Sequence, residues 1–98
     1  MKTIILAKEY NLQIIQTEET ANKIYEDLTK NLQAEVVIQI DMANIVYITT
    51  NCMRKMLGQV YRDLGKNDLC FYEKIKTINV NRKISSIIDL VLEEERKC

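Results

Sequence analysis

Apolar residues recur along this chain at two periods, and the switches between those periods divide it into strands and helices. Thr3 to Lys8 (Thr-Ile-Ile-Leu-Ala-Lys) is rich in β-branched residues and predicts a strand. Asn11 to Gln16 predicts a second short strand, with Glu9-Tyr10-Asn11 as a hairpin turn between the two. At Thr17 the period changes. Ala21, Ile24, Tyr25, Leu28 and Leu32 recur at helical spacing, with Glu26, Asp27 and Lys30 off the stripe. Thr17 is a good N-cap, and Glu18 and Glu19 in the first turn complement the helix dipole. This helix should stop between Asn31 and Ala34.

Glu35 to Asp41 (Glu-Val-Val-Ile-Gln-Ile-Asp) predicts the central strand, buried on both faces. Ala43 to Ile48 follows as a short apolar loop. Thr49-Thr50-Asn51 is a cluster of cap formers. Behind it Cys52, Met53, Met56, Leu57, Val60, Tyr61 and Leu64 keep helical register up to Gly65, a natural stop. Asn67 to Lys74 favours a helical turn over a strand, and Ile75 to Val80 predicts the last strand. Ile84, Ile87, Ile88, Val91 and Leu92 form the stripe of a C-terminal helix whose end, Glu93 to Cys98, frays into solvent. Strands alternating with helices of this length imply an α/β domain with parallel neighbours and right-handed crossovers.

Composition narrows the class. Ninety-eight residues fit one domain, residues 1–98, and 47% apolar with 29% charged residues argues against disorder. No proline and two glycines leave little room for linkers. Fourteen basic and fourteen acidic residues cancel, so there is no basic surplus for phosphate backbones, and no nucleic-acid partner is expected. The apolar run at Ile4 to Ala7 is too short for a signal peptide or a membrane span, which points to a cytoplasmic protein without a membrane partner. Three cysteines at no zinc-like spacing, with no histidine, argue against a structural metal. Cys52 and Cys70 read as reduced, small apolar residues, and Cys98 as the one most open to oxidation.

From Asp41 to Leu57 the chain resembles the central motif of the STAS domain, shared by anti-sigma factor antagonists and the cytoplasmic part of sulfate transporters. The matching parts are a strand ending in Asp41, the hydrophobic turn Asn44-Ile45-Val46-Tyr47-Ile48, and the hydroxyl-rich helix start Thr49-Thr50-Asn51. Thr77-Ile78-Asn79 followed by Ile84 resembles that family's last strand and the opening of its final helix. Small bacterial STAS-like proteins are similar from Thr17 to Arg96. Those relatives carry Phe-Ala-Asp-Glu after the hydroxyl cluster, where this chain has Cys52-Met53-Arg54-Lys55, two bases in place of two acids. The resemblance implies a four- to five-stranded mixed sheet with about three main helices, and a partner such as an anti-sigma factor or a histidine-kinase-like ATPase.

Each candidate residue has a plain structural role beside its functional one. Thr49, Thr50 and Asn51 cap a helix; in the functional reading Thr50, with Thr49 second, accepts a phosphate that changes the local charge by about −1.5 to −2. Arg54, Lys55, Arg62 and Lys66 with Asp63 make a solvated helix face, or a docking surface for an acidic protein. Asp41 ends a strand where α/β sheets bind ligands, but no second carboxylate or histidine accompanies it, so it and Asn79 are ranked as loop hydrogen-bonders. Without a histidine, a glycine-rich loop or a phosphate-binding signature, catalysis and a cofactor are not expected. The expected function is a regulatory protein-binding module working through Ile48, Asn51, Arg54, Lys55 and Arg62. The alternatives are a small accessory subunit that oligomerises without a switch and a module binding a nucleotide or small ligand near Asp41 and Thr50.

Overall fold

A computed structural model describes residues 1–97, so the reading of Cys98 lies outside the described residues. The first strand, β1 (Lys2–Ile5), is shorter than its apolar run. Leu6, fully buried, begins a single helical turn, α1 (Leu6–Glu9), closed by the Tyr10 N–H on the Leu6 carbonyl at 3.1 Å. The expected hairpin at Glu9 to Asn11 is therefore absent. β1 pairs instead with β3 (Ile38–Asp41), and the two-residue strand β2 (Ile14–Ile15) pairs with β4 (Tyr47–Ile48). With β5 (Ile75–Ile78) they form a three-stranded sheet, β1-β3-β5, and a two-stranded one, β2-β4. Every pairing among the described residues is parallel, in place of the single mixed sheet expected.

The helix α2 (Glu18–Gln33) spans the crossover from β2 to β3. Thr17 caps it as expected, its hydroxyl accepting the Thr20 N–H at 3.3 Å. Its buried face is Ala21, Ile24 and Leu28, with Tyr25 and Leu32 at the margin. β3 is central but has one buried face only. Ile38 and Ile40 are inaccessible, while Gln39 and Asp41, alternating with them, are half-exposed. Gln39 lies beside Thr3, whose hydroxyl donates to it at 3.1 Å, and beside exposed Lys76, so the far side of the sheet is solvated.

The next helical stretch is continuous but not uniform. α3 (Thr50–Met53) passes into a π-helical turn, Arg54–Gly58, and then into α4 (Gln59–Asp63). Gly58 sits where the C-terminal helix, α6 (Arg82–Lys97), packs closest: a Cβ there would stand 2.8 Å from Val91 Cγ1. Met53, Met56, Leu57, Val60 and Tyr61 turn inward towards α2 and α6. Gly65 at φ +78° ends the stretch in the left-handed conformation that glycine adopts without strain. α5 (Asp68–Lys74), capped by the Asn67 side chain on the Cys70 N–H at 3.0 Å, settles the Asn67 to Lys74 interval as helical. α6 continues through Lys97 rather than fraying, because Glu95 is buried against Arg62. No described helix is long and apolar enough to cross a membrane.

Candidate functional site

β2 and β4 position the hydroxyl cluster. The Thr49 N–H donates to the Ile15 carbonyl at 3.0 Å, and the Thr49 hydroxyl accepts the Cys52 N–H at 3.2 Å. Thr49 is thus the cap, occupied on both counts. Thr50, the first helical residue, is half-exposed and makes no side-chain hydrogen bond among the described residues. Ile48, expected as a partner contact, is fully buried and belongs to the core, because its place on β4 turns it inward beside Ile15.

The basic face expected on α3 and α4 exists, but its charge is spent inside the molecule. Arg54 grips Glu94 with two hydrogen bonds, 2.9 and 3.0 Å, and donates to Asn51 Oδ1 at 2.7 Å. Lys55 meets Glu18 at 3.0 Å. Arg62 chelates Glu95, the shortest contact being 2.6 Å, and reaches Gln59 at 3.0 Å. These bonds hold the Glu94 and Glu95 carboxyls below the usual glutamate range and raise the Arg54 guanidinium further. A shallow groove of about 500 Å³ runs among these residues, with Cys52 at its floor, and its ionic rim is neutralised.

Asp41 and Asn79, ends of neighbouring strands, come together: the Asn79 amide donates to Asp41 Oδ1 at 3.0 Å, and the Ala43 N–H does so at 2.9 Å. The Asn79 amide first, and that N–H second, keep the Asp41 carboxyl below its ordinary range. Asn79, at φ +56°, fixes the exit of β5. The turn into α6 is held by Asn81, whose oxygen accepts the Ile84 N–H at 2.8 Å and whose amide donates to the Ile45 and Val46 carbonyls. Among the described residues no three His, Cys, Asp or Glu side chains cluster as a metal site.

Asn81 thereby joins the start of α6 to β4, and an open groove of about 750 Å³ lies along that junction, lined by Tyr47, Thr50, Arg82, Lys83, Ser86 and Ile87. No family model, curated protein or solved structure matches this chain. What the groove can do follows from its own chemistry. It holds two cations, three hydroxyls (Thr50, Ser86 and the Tyr47 phenol) and an apolar floor, and no carboxylate lines it. Arg82 makes no hydrogen bond or ion pair among the described residues, and Lys83 lies only over the Tyr47 ring, 5.7 Å from its centre. No aspartate, glutamate or histidine lines the groove beside the Thr50 hydroxyl. Arg82 and Lys83, absent from the residues expected to bind a partner, carry a local signal in the sequence. Two cations open a helix there, at the end where the dipole favours acids.

Proposed function

We propose that this chain is a non-catalytic regulatory module of STAS-like type, that it binds a protein partner, and that phosphorylation of Thr50 gates the binding. The observation that carries this reading is the contrast between two adjacent hydroxyls. Thr49 is consumed as a cap, while Thr50 is free on the wall of a groove bearing Arg82 and Lys83. A kinase would transfer the γ-phosphoryl of ATP to Thr50 Oγ1, releasing ADP and the hydroxyl proton. The added charge of about −1.5 to −2 would then offset the two cations of the groove. The resemblance of Asp41 to Leu57 supports an anti-sigma factor or a histidine-kinase-like ATPase as the partner.

Pull-downs from the native host with wild-type chain and with Thr50→Glu, compared by quantitative mass spectrometry, test the gate. A partner recovered by the wild type and depleted by Thr50→Glu is the expected outcome. Equal recovery removes Thr50 from the mechanism.

One observation favours a second reading, the oligomerising subunit. On α5, Leu69 is 72% exposed and Tyr72 47%, an apolar pair at helical spacing that no described element covers. Sedimentation decides it, since that reading requires an oligomer that Leu69→Lys dissolves.

A further inference from the structure

We infer that the groove between β4 and the first two turns of α6 is itself the docking surface, and that its occupant is a protein segment presenting a carboxylate beside a large apolar side chain. This rests on the protein-binding reading and adds to it the place and the partner's chemistry. It also moves the interface away from the α3–α4 face to which the sequence pointed.

Three features converge on the groove. Its floor is apolar, formed by the Tyr47 ring and Ile87. Leu90, 49% exposed, follows Ile87 by three residues, on the same side of α6 and one turn beyond the groove. Its rim is cationic, and the charge is not satisfied within the chain. Arg54, Lys55, Arg62 and Arg96 all meet carboxylates, whereas Arg82 meets none and Lys83 meets only an aromatic ring. Finally, the two cations sit where they cost stability. In the first turn of a helix each opposes the dipole by about 0.3–1 kcal/mol, and no carboxylate offsets that, Lys83 having only the Tyr47 ring and Arg82 no ion pair among the described residues. Local rules broken without internal compensation mark surfaces kept for another purpose.

An acidic, partly apolar segment supplies what each feature lacks. Its carboxylate would meet the Arg82 guanidinium, whose planar fork takes both oxygens at once. Its apolar side chain would cover Tyr47, Ile87 and Leu90. Both walls are already fixed by the Asn81 bridge, so little ordering is lost on binding. A phosphate on Thr50 would compete for the same cations, and the gate and the docking surface would be one place.

The test is a random peptide library displayed on phage and selected against the full chain at low salt, with the enriched sequences remade as free peptides. Enriched peptides should share an Asp or Glu next to a large apolar residue. They should lose about tenfold or more in affinity on an Arg82→Glu/Lys83→Glu chain and change little on Lys55→Gln. Acids suit the first turn of α6, so the double variant should fold, and Arg82→Gln/Lys83→Gln serves as a milder second variant. Failure to enrich, enrichment without the acidic residue, or indifference to both groove variants overturns the proposal. So does a groove-dependent affinity for a single-stranded oligonucleotide that exceeds the affinity for the peptides. If Thr50→Glu leaves peptide binding unchanged while the groove variants abolish it, the docking surface stands and the phosphate gate falls.

Discussion

Two cationic regions lie on either side of Thr50, and they differ in what holds them. On α3 and α4, Arg54, Lys55 and Arg62 are each bound to an acid from another element: Glu94, Glu18 and Glu95. At the start of α6, Arg82 and Lys83 face a groove that no carboxylate lines. The first region stitches α6 and α2 to the middle helix and is a component of the fold. The second makes no ion pair among the described residues, its one internal contact being Lys83 over the Tyr47 ring. The first region has more cations, three against two, yet availability is what a partner reads, and there the second leads.

The sharpest way to break the stitched side is to remove what lies under it. Met56 is inaccessible on the inner face of the π turn, and Met56→Ala should cost about 2–5 kcal/mol in chemical denaturation. Gly58→Ala should cost about 1–3 kcal/mol by driving a methyl into Val91, and a Val91→Ala partner mutation should recover part of the loss. Glu95→Gln should cost about 1 kcal/mol at neutral pH, since half-exposed Arg62 screens the pair.

The same variant should also change the acid limb of the stability curve. The Arg62 guanidinium keeps the folded Glu95 carboxyl below its ordinary range, so the unfolded chain takes up that proton first as pH falls. The stabilisation is full above the ordinary glutamate pKa and disappears as pH drops through that value towards the lower folded one. Equilibrium unfolding between neutral pH and pH 3 should be less steep in Glu95→Gln than in the wild type. At the small end, Arg82→Gln and Lys83→Gln should each move stability by less than about 0.5 kcal/mol, or raise it slightly. A loss as large as that of Glu95→Gln would erase the distinction between the two regions.

What the sequence made legible was local. Thr17, Thr49 and Asn67 each bond an N–H three residues ahead, and Gly65 takes a positive φ directly after its helix, so position along the chain was enough to place them. Strand ends were legible only where polar residues bounded them, which is why Asp41 was placed correctly and Ile5 was not. Leu6 continues the apolar run yet leaves the sheet, since a helical turn there buries it as well as a strand would. The parallel pairing of Ile15 with Ile48 joins residues far apart in sequence, and no local pattern encodes it. The same holds for the site. Arg54 and Glu94 meet across 40 residues, so a basic helix face looked free when it was not. Ile48 looked like a turn residue open to a partner because β4 was hidden in an apolar loop.

The π turn at Arg54–Gly58 has a consequence for the chain's tolerance of insertions and deletions. It holds one residue more than a plain α-helical turn would, and so takes up that residue while α3 before it and α4 behind it stay in phase. Deleting a single residue there would let the whole stretch wind evenly, and α3 would keep nearly the same phase relative to α4, because the wider π turn already takes up the extra residue. The core side chains of α3 and α4 could both stay seated, with Thr50 still on the groove wall beside Arg82. A chain shortened by that one residue should therefore stay folded and keep Thr50 in place, whereas the same deletion within α4 would turn everything before it by about 100°.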